Sequence, residues 1–155
     1  MTKKIKKVRI SSAAQMKRFG ASVAKAVMKD PQKNRAHVIA LVGELGSGKT
    51  TFTQGFMSAF SKRHRVMSPT FLIVRSYHVG IGIKKRRVYH MDAYRIKKDE
   101  ELGPIQFFDM LAKPGAIVLI EWADLIQKHI PKHAQWFTFA HGEKKSIRHI
   151  VMGKK

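Results

Sequence analysis

The sequence predicts an α/β domain built on a mixed, mainly parallel sheet with hairpin additions. Three observations carry that reading. Two short, nearly continuous apolar runs have the pattern of strands buried on both faces. Segments with apolar residues every three to four positions lie between strand-like runs, as helices do in α/β domains. Two further pairs of strand-like segments are joined by glycine-containing turns, which marks hairpins and a sheet that is not purely parallel.

Taken in order, residues 1–10 form a basic N-terminal segment. Residues 12–29 place Met16, Phe19, Val23 and Val27 on one helical face. His37-Val38-Ile39-Ala40-Leu41-Val42 is the first buried strand, and a glycine-rich turn follows it. Residues 49–60 read as a helix with Phe52, Phe56 and Ala59 inward. Residues 71–74 and 87–90 read as two strands of a hairpin whose loop contains Gly80 and Gly82. Residues 99–112 are helical in part, and residues 116–120 are the second buried strand. Residues 135–140 and 147–152 flank His141-Gly142-Glu143 as a closing hairpin, and residues 153–155 are a basic tail.

A chain of 155 residues fits one domain, residues 1–155. Its hydrophobic fraction of 44% and charged fraction of 26% exclude a wholly disordered polypeptide. No run approaches the roughly 18 apolar residues of a membrane helix, so no membrane association is expected. The basic start leads into no apolar signal core, and cysteine is absent, which predicts a cytoplasmic protein without disulfides or thiolate chemistry. Lys and Arg total 31 against 10 Asp and Glu, a net charge of +21. Such a field attracts polyanions, although a general preference for lysine gives the same count. The basic clusters, including Lys84-Lys85-Arg86-Arg87 and Lys144-Lys145, are not interleaved with stacking aromatics.

The glycine-rich turn carries the chemistry. Gly43-Glu44-Leu45-Gly46-Ser47-Gly48-Lys49-Thr50 satisfies G-x-x-x-x-G-K-[ST], with a buried strand before it and a helix after it. In such a loop the backbone N–H groups turn inward around phosphate oxygens, and the helix directs its positive end at them. Lys49 adds a full charge at the β and γ phosphates, and the Thr50 hydroxyl reaches Mg²⁺. The nucleotide-binding set is therefore residues 43–50 with the adjacent Thr51. The fold becomes a three-layer, P-loop NTPase-like domain.

Such a loop needs a carboxylate for Mg²⁺, usually at the end of a neighbouring buried strand, and Glu121 directly follows residues 116–120. The plainer reading is a glutamate capping a strand end in solvent, but a carboxylate beside a dry strand is costly without a positive neighbour, which favours Mg²⁺. Asp92, just beyond the strand at 87–90, reads equally as a turn residue paired with Arg95 or as a second catalytic carboxylate. Ser68-Pro69-Thr70-Phe71 is either a nucleotide-sensing switch loop or the plain beginning of a strand. His129 and His133 have ligand spacing, but Pro131 lies between them, which argues against a metal site there.

These segments together resemble the TsaE family of small P-loop ATPases of bacterial tRNA threonylcarbamoyladenosine biosynthesis. The resemblance rests on LVGELGSGKTTFTQGF around the loop, then S-P-T-F at Ser68 to Phe71, YHMDAYRI at Tyr89 to Ile96, Glu100-Glu101-Leu102-Gly103, and IEWAD at Ile120 to Asp124. It spans residues 12–150 in order. It implies ATP and Mg²⁺ as cofactors, slow hydrolysis by the chain alone, and the partner proteins TsaB and TsaD. tRNA is then approached indirectly or through the basic surface. It also implies that Thr50 and Glu121 hold Mg²⁺ and that Lys49 holds the phosphates. Asp92 becomes a catalytic or metal-shell carboxylate, Trp122 sits beside the site, and Thr70 belongs to a switch-like loop. Ser11-Ser12-Ala13-Ala14-Gln15 and Gly142-Glu143-Lys144-Lys145 depart from the family's usual residues at its base-contacting ends.

Two other functions compete. A small-molecule P-loop kinase needs a lid and an acceptor-binding insertion, and the stretch between the loop and Glu121 has little room for them. A basic RNA-binding module with a degenerate nucleotide site conflicts with the intact Lys49, Thr50 and Glu121.

Overall fold

The computed structural model describes residues 6–29, 34–60, 73–80 and 85–153. Seven strands form one sheet: β1 (Lys6–Ile10), β2 (His37–Val42), β3 (Val74–Val79), β4 (Arg86–Asp92), β5 (Ile117–Glu121), β6 (Gln135–His141) and β7 (Arg148–Gly153), in the spatial order β1-β7-β6-β2-β5-β4-β3. The central strands β6, β2, β5 and β4 run parallel to one another. β1, β7 and β3 are added antiparallel, β3–β4 and β6–β7 as the two expected hairpins. The sheet is mixed, as its sequence predicts.

The two apolar runs are the innermost strands for a physical reason. β5 is buried at every position and β2 at all but its last, so both need side chains that tolerate neighbours on two faces. Alternate residues then feed two separate cores. Ile39, Leu41, Ile117 and Leu119 pack beneath the helices α1 (Ala13–Lys29) and α2 (Lys49–Ser58). Val38, Ala40, Val118 and Ile120 face the opposite layer, made of α3 (Phe107–Ala112) and two 3-10 segments, Asp99–Leu102 and Ala123–His129.

α1 and α2 meet closely at glycine. A Cβ on Gly20 would lie 2.2 Å from the Phe52 carbonyl oxygen, and one on Gly55 would lie 2.1 Å from that of Lys17. Backbone therefore rests on backbone, and the contact fixes α2 and the loop that precedes it.

Three elements differ from the sequence reading. α2 ends at Ser58, and Ala59, expected inward, is exposed beyond its last turn. Residues 6–10 are an edge strand, not merely a basic segment: Val8 and Ile10 alternate into the core while Lys6, Lys7 and Arg9 stay exposed. The strand expected at residues 71–74 lies further on. Ile73 adopts φ +56°, in the left-handed region that a β-branched residue rarely occupies, so extended backbone begins only at Val74. Residues 71 and 72 lie outside the described residues.

Candidate functional site

β2 delivers the chain to the glycine-rich loop, and α2 leaves it with Lys49 as its first residue. Gly48 precedes the helix at φ +105°, a conformation that a side chain would strain. Lys49 is 5% exposed, and its Nζ donates to the carbonyls of Gly43 at 2.5 Å and Glu44 at 3.0 Å. The same Nζ lies 4.1 Å from the centre of the Trp122 ring, a cation–π contact. Ser47 is wholly buried, and its amide donates to the Glu44 carbonyl at 3.1 Å.

Strand periodicity supplies the carboxylates. Glu121 shares the parity of Ile117 and Leu119, and Asp92 that of Val88, so both belong to the face covered by α1 and α2. They are register partners in the parallel β4–β5 ladder, which sets the two carboxylates side by side. Thr50, on the first turn of α2, donates its hydroxyl to Glu121 Oε2 at 3.3 Å. His90 Nε2 lies 2.8 Å from Glu121 Oε1. Since an ionised carboxylate only accepts, this nitrogen is the donor. Asp92 Oδ1 accepts the Tyr94 amide at 2.9 Å, as a turn residue does.

Leu45, Gly46, Gly48, Lys49, Thr50, Thr51, Asp92, Tyr94, Glu121 and Trp122 line one cavity of about 400 Å³. The sequence-predicted residues are thus brought together, with Gly43, Glu44 and Ser47 in the loop itself. Thr70 and the rest of Ser68-Pro69-Thr70-Phe71 lie outside the described residues. Trp122, at φ +57°, turns out of β5 and packs against Tyr94 with ring centres 5.0 Å apart and planes tilted by 50°. A second hollow of about 250 Å³ shares Gly46, Gly48 and Thr51 and is completed by Ile10, Ser12, Met16, Lys145 and Arg148.

Burial lowers the Lys49 pKa below the ordinary lysine value, while the charges of Glu121, Asp92 and Asp124 oppose the shift. A lysine so placed is an anion receptor with part of its hydration already removed. The carboxylates around it favour an anion that arrives with a cation.

Sequence reasoning missed His90, Tyr94, His141 and Arg148. His90 carried a usable signal, since two residues before Asp92 on a strand means the same face. His141 and Arg148 carried none. The β6–β7 hairpin brings them over the loop, where His141 Nε2 is 3.2 Å from the Leu45 carbonyl and Arg148 donates twice to the Gly46 carbonyl, at 3.1 and 3.0 Å. His129 pairs with Asp99 at 3.1 Å, and His133 lies 3.4 Å from the Ala36 carbonyl. Among the described residues no group of three or more His, Cys, Asp or Glu could hold a metal by itself. No described helix is long and apolar enough to cross a membrane.

Fold and loop define an α/β domain of the P-loop NTPase type. The family model for "Threonylcarbamoyl adenosine biosynthesis protein TsaE" matches residues 10–150, and the chain belongs to the TsaE family. It is 40% identical over 96 residues to the tRNA threonylcarbamoyladenosine biosynthesis protein TsaE of Bacillus subtilis, covering 61% of this chain and 56% of that one. It is 33% identical over 117 residues to the Haemophilus influenzae protein of the same name, covering 76% and 70%. The match thus spans little more than half the length of the Bacillus relative. The crystal structure of Bacillus subtilis YdiB superposes with a TM-score of 0.70 at 27% identity, covering 99% of this chain and 88% of that one.

Proposed function

We propose that the chain binds ATP with Mg²⁺ at this site and hydrolyses it, and that the cycle of bound nucleotide acts on a TsaB–TsaD complex that modifies tRNA. The observation that carries the reading is the contact between Thr50 on the loop helix and Glu121 at the end of β5. A P-loop hydroxyl and a strand-end carboxylate meeting at 3.3 Å are the two protein oxygens that a Mg²⁺–nucleotide site requires.

The donor set suits that ion. Mg²⁺ prefers one or two carboxylates together with phosphate and water oxygens to an all-protein cage. Thr50 and Glu121 would hold it, with Asp92 beside them, and when bound it neutralises charge on the phosphates. The loop amides and Lys49 bind and orient the phosphates. Trp122 and Tyr94 form a partly apolar wall that limits water at the reacting end. Asp92, the register partner of Glu121 in the β4–β5 ladder and a residue lining the same cavity, orients a water or takes its proton. The smaller hollow accepts the nucleoside, with Met16 and Ile10 as its apolar surface and Ser12 as its polar group.

Glu121→Gln keeps the volume and one acceptor but removes the charge. It should lower Mg²⁺-dependent ATP hydrolysis by at least about 100-fold, the scale on which one electrostatic group acts, while the melting temperature stays within a few degrees. Unchanged hydrolysis would assign the carboxylate a structural role. Coupling to TsaB–TsaD is read separately. Affinity for that complex should differ about 5- to 150-fold between ADP and a non-hydrolysable ATP analogue. Thr70→Ala should reduce that difference, because Thr70 is the proposed sensor of the γ-phosphate.

A further inference from the structure

Charge is distributed unevenly along this chain. Residues 1–91 hold 20 Lys and Arg against two carboxylates, Asp30 and Glu44, whereas residues 92–155 hold 11 against eight. Among the described residues the two helical layers differ in the same sense. The layer of α3 and the 3-10 segments carries Asp99, Glu100, Glu101, Asp109 and Asp124 among its lysines. The opposite layer is α1 and α2, and neither helix contains a carboxylate.

On α1, Arg18, Lys25 and Lys29 are exposed and, at spacings of seven and four, share one stripe along about 16 Å of helix. β4 adds Arg86, whose Nη1 reaches the Val27 carbonyl at 3.4 Å. Glu44 stands at the loop end of the molecule. Glu143 is engaged by Arg9 and His149. Local stability does not explain the stripe. Lys29 complements the helix C-terminus, but Lys25 and Lys29 are like charges at i and i+4, which disfavours the helix. The face also exposes no large apolar side chain among the described residues. Leu45, Tyr94, Phe108 and Leu125 lie at the loop mouth or in the other layer. A protein interface needs an apolar centre, and base stacking needs aromatics. This face has the composition of a phosphate-backbone contact.

We propose that the α1 face binds a folded RNA through its phosphates, without reading bases. The site is separate from the nucleotide cavity, and its occupancy does not depend on hydrolysis. The probe is an unmodified tRNA transcript, titrated with the full chain between 50 and 200 mM KCl in the absence of nucleotide. The logarithm of affinity should fall linearly with the logarithm of salt. Arg18→Gln/Lys25→Gln/Lys29→Gln should flatten the slope by about 2 to 3, the release expected for three lost phosphate contacts. Lys97→Gln/Lys98→Gln/Lys113→Gln, on the other layer, should leave it unchanged, and the single Lys25→Gln should give a partial effect. Equal losses from both triple variants would mean diffuse attraction only and would overturn the proposal. So would unchanged tRNA binding by the α1 variant accompanied by lost TsaB–TsaD affinity, which would assign the face to a protein.

Discussion

The buried imidazole of His90 divides Glu121 with Thr50: its Nε2 holds Oε1 at 2.8 Å while the threonine hydroxyl holds Oε2 at 3.3 Å. His90 is fully buried and Glu121 is 2% exposed, so neither oxygen is oriented by bulk water. A carboxylate held at one oxygen presents the other in a fixed direction, which is how groups behind a metal ligand tune it.

His90→Phe keeps the ring volume and removes the donor. It should weaken the gain in nucleotide affinity that Mg²⁺ confers by about 10- to 100-fold, the usual effect of losing such a supporting contact. His90→Gln, which can restore a donor near the Nε2 position, should recover part of it. Calorimetric affinities with and without Mg²⁺ decide the matter; an equal Mg²⁺ gain in His90→Phe would show that Glu121 needs no support.

Lys49 gives a proton-linked signature. Its pKa in the folded chain lies below the ordinary 10.5 because burial disfavours the charge. Between those two values the unfolded chain holds more protons, so stability should rise with pH through that window. A bound phosphate reverses the shift. Nucleotide binding in the same alkaline window should therefore take up protons, and at neutral pH it should take up none through Lys49. Calorimetry in buffers of different ionisation enthalpy measures this uptake. None at alkaline pH would mean that Lys49 does not meet the phosphates.

Gly20→Ala and Gly55→Ala test the helix contact that fixes the loop. Each added methyl would meet backbone, not a movable side chain. Each should cost roughly 1–3 kcal/mol as overpacking, lowering Tm by about 2–4 °C per kcal/mol for a chain of this size. A Tm equal to that of the wild type would mean that the helices separate without penalty.

Much of this architecture was legible in the sequence because it follows from local chemistry. The runs at 37–42 and 116–120 could be buried on both faces only in a parallel interior, and they are β2 and β5. Lys49, Thr50 and Glu121 were placed by a motif and a strand end, and they converge on one cavity. What was hidden depends on partners distant in sequence. β1 looked like a charged tail because its three cations mask Val8 and Ile10, and only pairing with β7 makes it a strand. Arg148 reaches Gly46 across 102 positions, a contact that no local pattern announces. The left-handed turn at Ile73 is set by its surroundings, its carbonyl accepting the Asp92 amide at 2.8 Å.

Binding of a Mg²⁺–nucleotide by the loop and its lysine is measured by titrating wild type and Lys49→Ala with a non-hydrolysable ATP analogue in the presence of Mg²⁺. Losing charge-assisted hydrogen bonds, each worth about 1.5–3 kcal/mol, should reduce affinity at least about 10- to 100-fold in a variant that still folds. Saturable one-to-one binding by the wild type, with such a loss in Lys49→Ala, is the predicted result. Equal affinity in the two proteins, or no binding by the wild type, would contradict it.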